Sequence, residues 1–213
     1  MPYTPVVAAA LSGASVRQLS YWRSSRSTES PLLAPEFYDR GGRVAYSFQD
    51  VVALRTFVYL RTHDVPLQRV RKAVRHLRAM GETEHLSSYT LVAAGRDVLW
   101  KISDLAAVDL TNQPGQHVIA QMVDIFAAFP VRRREVVPLL QPKPGVAVNP
   151  DVRGGYPVIE GTRVPYDLVA ALMADGVPPE EISGFYPSVA PAAARGARDF
   201  ANYVDGYREQ AAG

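Results

Sequence analysis

From the N-terminus the hydrophobic pattern breaks into short runs of different phase. Val6 to Leu11 is apolar throughout, Gly13 interrupts it, and Val16, Leu19 and Trp22 then recur every third residue among polar neighbours. Thr4 followed by Pro5 places an N-cap before a proline at the first helical position, which predicts a helix over 5–12 whose Val6, Ala10 and Leu11 supply an apolar side. Ser15 and Gln18 have capping-box spacing, so a second helix starts at Ser15. Two short helices about a Gly-containing turn make a helix-turn-helix candidate.

After a Ser/Arg-rich loop, two short runs around Arg40-Gly41-Gly42 read as a hairpin with Arg40 and Arg43 at its tip. Ser47 and Asp50 repeat the capping-box spacing, and Val51, Leu54, Phe57 and Leu60 follow at helical intervals. A further helix opens near Pro66. Its Leu67, Val70, Val74 and Leu77 form a seam able to pair helices within or between chains, with Arg69, Arg71, Lys72, Arg75 and Arg78 elsewhere on its surface. Beyond Gly81 the period becomes that of strands: 88–102 holds two runs about a Gly-containing turn, and 115–126 is rich in β-branched residues. The Pro-rich stretch VPLLQPKPG, 137–145, is the best linker candidate. Past it, 157–159 and 162–164 flank Glu160-Gly161 as a short hairpin. Helices are then predicted from Asp167, from Pro178-Pro179-Glu180-Glu181 and from near Pro191, the last with Phe200, Tyr203 and Tyr207 on one side.

These elements predict an α+β fold, mainly α, in three parts. A winged helix-turn-helix domain occupies 1–80, a small β-rich connector 81–145, and a three-helix, helix-turn-helix-like domain with a short hairpin 146–213.

At 213 residues and 47% hydrophobic, the chain can bury a real core. The sequence has no apolar run long enough for a membrane helix and no signal-peptide layout at its start, so a cytoplasmic protein, nucleoid-associated when on DNA, is expected. There is no cysteine, and the four histidines are scattered, which argues against a zinc site or a thiol sensor. No phosphate loop, nucleophile elbow or H-E-x-x-H is present; Glu82, Glu84 and His85 read as a solvated loop. Neither an enzyme nor a cofactor is expected.

Charge sharpens the division. Residues 1–80 carry twelve Lys or Arg against five acids, an excess of seven positive charges, and the rest of the chain carries an excess of five negative ones. A polyanion-binding head joined to a body with another kind of partner is implied. On a wheel of about 100° per residue, Val16, Leu19 and Trp22 face one way. Arg17, Tyr21 and Ser24 face the other, with Gln18 on their flank. Arg pairs with a guanine edge, Gln with adenine, and Tyr reaches a phosphate oxygen, so the second face suits a major groove; a solvated helix face is the alternative.

At this point the residues resemble the MerR-type DNA-binding head. Its signature G-V-S-V-R-T-L-R-Y-Y is met by Gly13-Ala14-Ser15-Val16-Arg17-Gln18-Leu19-Ser20-Tyr21-Trp22, and its S-x-x-D-V by Ser47-Phe48-Gln49-Asp50-Val51. Ser20 stands where the family has a second basic residue, and the wing motif becomes Gly42-Arg43-Val44-Ala45-Tyr46. The resemblance implies a homodimer on double-stranded operator DNA with Arg17 and Tyr21 as groove and backbone contacts; Ser15, Gln18, Arg23, Arg40 and Arg43 complete the expected contact set.

The tail pattern G-x-P-x-I-x-G-T-R-V-P, then G-V-P-P-E-E-I and Y-P, resembles domain of unknown function 433. A MerR-like head on such a tail looks like the VapB-type antitoxins of type II toxin–antitoxin systems. That implies an autorepressor whose tail neutralises a PIN-domain ribonuclease toxin. Residues 146–213 hold five Arg against nine acids, which disfavours DNA there and favours a protein partner. Tyr186, Phe200, Tyr203 and Tyr207 are the expected partner contacts, with a packed core as the alternative for the aromatics of the last helix. A MerR-like regulator whose connector and tail sense a small molecule is the other function to weigh.

Overall fold

The computed structural model describes residues 1–24, 31–38, 42–80, 90–94, 97–101, 107–109, 117–118, 125–132 and 134–209. Arg40, the Ser/Arg-rich loop at 25–30, the Glu82, Glu84 and His85 cluster and Arg133 lie outside the described residues.

Helix α1, Pro5–Ser12, begins where the Thr4 side chain accepts from Val7 N–H and ends at Gly13, whose N–H donates to Ala9 O. Gly13 adopts φ 81, and a Cβ there would lie 2.5 Å from the Val136 side chain, so both backbone and space demand glycine. Helix α2, Val16–Arg23, has the full capping box: Gln18 N–H donates to Ser15 Oγ at 3.1 Å and Ser15 N–H to Gln18 Oε1 at 2.8 Å. Helix α3, Phe48–Thr62, uses the same device, and Asp50 Oδ2 accepts from both Ser47 and Glu36 N–H. The wing is β1, Phe37–Tyr38, antiparallel to β2, Val44–Ala45, with Tyr3 bridging to Tyr46 beyond it.

Helix α4, Leu67–Ala79, packs on α3 and on the connector sheet. That sheet is an antiparallel meander of β3 (Thr90–Ala94), β4 (Asp97–Lys101), β5 (Ala107–Asp109) and β6 (His117–Val118). The two strands expected within 88–102 are β3 and β4. Of the strand-like run at 115–126, β6 is described. A separate hairpin joins β7, Phe129–Val131, to β8, Arg134–Val136. In the tail, β9 (Val146–Ala147) pairs with β10 (Val158–Ile159), and α5 (Tyr166–Ala174), α6 (Ile182–Phe185) and α7 (Pro191–Glu209) follow. Among the described residues, no helix is long and apolar enough to cross a membrane.

Three expectations change. First, α1 has no solvated face of any extent: Val7 to Ser12 are all buried, because α3 covers one side and α7 another. Second, 137–145 is packed rather than a free linker. Val137 and Leu139 are buried, and the chain crosses α7 so closely that a Cβ on Gly196 would stand 1.8 Å from Pro144 O. Third, the Glu160-Gly161 turn forms, with Ile159 N–H donating to Val164 O at 2.8 Å, but the strand paired with β10 is β9. The α4 seam, left open between pairing within and between chains, packs within this one: Val70, Val74 and Leu77 are buried.

Head and tail share one core. Neighbouring rings run from Tyr3 through Tyr156, Tyr166, Phe200 and Tyr203 to Tyr207, with centroids 4.7 to 6.2 Å apart. Tyr3 Oη donates to Gly155 O, and Tyr203 Oη to Ala10 O at 3.0 Å. The expectation that the last-helix aromatics stand free as partner anchors is thereby corrected. Phe200 and Tyr207 are buried, and Tyr203 is half-buried with its hydroxyl on α1. Apolar area is worth more against α1, where it leaves water, than facing solvent.

Candidate nucleic-acid interface

Helix α2 is amphipathic in the way its spacing predicts. Leu19 and Trp22 are buried, and Trp22 meets the Phe57 ring edge-on at 6.0 Å. Arg17, Gln18, Ser20 and Tyr21 are exposed on the other side. Arg17 and Tyr21, four residues apart, share one face and form with Gln18 a polar strip at the start and middle of the helix.

Of the residues expected at DNA, Ser15 and Gln18 first serve each other. The Ser15 hydroxyl oxygen and the Gln18 amide oxygen both accept backbone N–H groups in the capping box. Gln18 therefore offers its amide nitrogen as donor to any further partner. Tyr21 is braced from α4: the Arg71 guanidinium lies over its ring, 5.5 Å from the centroid. Arg23 is half-buried beside Tyr46, where its charge opposes the upward push that burial gives the Tyr46 phenol. Arg43 is exposed next to the wing strand β2. Tyr186 is half-buried at the end of α6, far along the chain from this surface and beside an exposed Phe185.

Two arginines that the pattern did not single out shape the site. Arg71 had been one of five cations spread over α4, and its sequence spacing does not show that it reaches across to α2. Arg55 is fully buried, and its guanidinium donates to the carbonyls of Leu11, Ile125, Ala127 and Val137 while lying 4.8 Å over the Phe129 ring. It thus ties the end of α1, just before the helix-turn-helix turn, to the connector. The signal was a lone cation inside the otherwise apolar stretch VVALRTFVYL.

Comparison with known proteins agrees with this architecture. Residues 3–77 match the family described as MerR HTH family regulatory protein, and residues 146–201 match the protein of unknown function family DUF433. The chain thus carries a MerR-type helix-turn-helix domain followed by a DUF433 region. It is similar to two proteins of Mycobacterium tuberculosis, the uncharacterized HTH-type transcriptional regulators Rv1830 and MT1879, and to Mb1861 of Mycobacterium bovis. Each is 32% identical over 111 residues, which cover 51% of this chain and 46% of the relative. The chain therefore spans about half the length of these curated relatives. The crystal structure of Rv2018 from Mycobacterium tuberculosis shares the fold, with a TM-score of 0.55 at 16% identity over 92% of this chain and 97% of that one.

Proposed function

We propose that the chain is a MerR-like transcription regulator, not an enzyme. It binds double-stranded operator DNA as a homodimer through α2, and its connector and tail respond to a small molecule. One observation carries this: Leu19 and Trp22 hold α2 against the core while Arg17, Gln18 and Tyr21 line its open face. The positive excess of the head supplies the phosphate attraction that such a face needs. The tail's seat on α1 offers a route for regulation. A ligand that favours one seating of α7 acts on the turn that positions α2, by as much as its affinity for the two seatings differs.

The names of the similar proteins support a regulator more than they support an antitoxin. The burial of Phe200 and Tyr207 also takes two of the four aromatics expected at the toxin away from the surface. The test selects duplexes from a randomised pool with the whole chain. Binding of the winner is then compared with a random duplex, with and without Arg17→Ala. No preference for the selected duplex overturns the proposal. Neutralisation of a co-expressed PIN-domain ribonuclease by the whole chain, alongside sequence-selective DNA binding, restores the antitoxin reading. That experiment needs the intact chain, because a chain lacking the tail loses the α7 that packs on α1.

A further inference from the structure

We propose that the β7–β8 hairpin is a second DNA-contacting wing, placing Arg132 against the phosphate backbone beside the helix-turn-helix turn. This inference rests on the DNA-binding reading above and adds a contact from outside the matched MerR segment, which ends at residue 77.

Three observations carry it. The first is position. Val131 and Val136 of the hairpin pack on the α1–α2 turn, where a Cβ built on Gly13 would lie 3.4 Å from the Val131 side chain and 2.5 Å from that of Val136. Arg132 directly follows Val131, so it sits next to the turn that leads into Ser15 and the exposed Arg17. When the start of a recognition helix enters a groove, the turn before it lies close to the sugar-phosphate backbone.

The second is rigidity. Phe129 lies under the Arg55 guanidinium and meets Tyr59 edge-on at 5.3 Å. On the other strand, Arg134 donates to Gly206 O and covers the Tyr207 ring. The hairpin is thus clamped between α3 and α7, and its tip is held in place relative to α2.

The third is the tip itself. Val131 pairs with Arg134, so the connection is two residues long, a geometry that calls for positive φ and is filled in most hairpins by Asn or Gly. Arg132 adopts φ 54 and is exposed. An arginine kept in left-handed backbone at an exposed tip, inside the run Arg132-Arg133-Arg134, is suited to a task of its side chain rather than of the turn.

The experiment uses the whole chain, the duplex of about 40 base pairs selected above, long enough for two half-sites, and a random duplex of equal length. Arg132→Asn removes the charge and suits the backbone, so folding is preserved, as melting checks; Arg132→Lys keeps the charge. Arg132→Asn is expected to reduce the slope of log affinity against log salt by about one per protomer. It should weaken both duplexes by a similar factor and lose hydroxyl-radical protection at one phosphate flanking each half-site. Arg132→Lys should retain slope and footprint. A parental slope and footprint in Arg132→Asn, with Arg17→Ala still deficient on the selected duplex, overturns the hairpin contact alone. If the parent itself shows no preference for the selected duplex over the random one, the DNA-binding reading beneath it falls.

Discussion

Tyr203 Oη, on the last helix, donates to Ala10 O, on the first, at 3.0 Å, and also receives the Val137 N–H at 3.4 Å. The hydroxyl joins the tail to α1, the helix that precedes α2. Tyr203→Phe keeps the ring stacked on Phe200 but leaves both backbone groups short of a partner. It is expected to lower unfolding free energy by about 1–2 kcal/mol. Urea denaturation followed by tyrosine fluorescence and far-ultraviolet dichroism should show one transition moving to lower urea. Two separated transitions would contradict a shared core.

Arg55 is a stronger tie. Its guanidinium serves four carbonyls from α1, the connector and the segment after β8. Arg55→Ala deserts these acceptors in the core and is expected to cost about 3–5 kcal/mol. Arg55→Lys should be only a partial remedy, because an ammonium cannot reproduce the planar fork. Guanidinium unfolding curves of the two variants against the parent check both statements. A lysine variant as stable as the parent would refute the fork geometry.

The stacked tyrosines make the fold sensitive to alkali. Burial, before any charge effect, raises the phenols of Tyr3, Tyr156, Tyr166 and Tyr203 above their ordinary value. A raised folded pKa favours the protonated phenol in the fold, so this stability is complete below about pH 10, where unfolded tyrosine titrates, and is lost as pH climbs toward the folded values. Absorbance of tyrosinate near 295 nm, titrated upward, should show an early group of exposed phenols and a later group that ionises together with loss of dichroism. Smooth titration of all tyrosines with the fold intact would remove this account.

On the DNA face, Arg17→Ala is expected to cost about 1–3 kcal/mol on the selected duplex with relaxed sequence preference. Fluorescence anisotropy against the selected and random duplexes measures it. Equal losses on the two would assign Arg17 to the backbone instead of to a base.

The Arg71 guanidinium over Tyr21 braces the exposed face of α2 from a different helix. Single variants Tyr21→Ala and Arg71→Ala should each weaken binding, and the double variant should lose less than their sum, by about 0.5–1 kcal/mol. Strict additivity in the binding cycle would mean that the two residues act independently.

The local features were readable from residue order alone, because their causes span only a few residues. Both capping boxes, at Ser15–Gln18 and Ser47–Asp50, depend on a side chain meeting a backbone N–H three positions away. The Leu19 and Trp22 face depends on helical periodicity. The β3–β4 pair needs only two strand-like runs and a turn between them. The same local reading gave α1 a single apolar side and made 137–145 a linker. Proline content reports what the backbone cannot do locally and says nothing about what lies on top of it.

What tertiary structure alone decided is which surfaces remain. Phe200, Tyr203 and Tyr207 share a helix side by spacing, yet whether that side meets a partner or the chain's own α1 depends on contacts nearly 200 residues apart in sequence, such as that of Tyr203 with Ala10. Arg55 and Arg71 follow the same logic: a cation's sequence neighbours do not reveal the carbonyls or the ring that reach it from elsewhere. By itself the sequence determined a capped, basic helix-turn-helix head and an acidic helical tail, since periodicity, caps and charge are carried by near neighbours. Only the fold decided that the two are one body, because burying α1 on both sides removes more apolar surface from water than either part can alone.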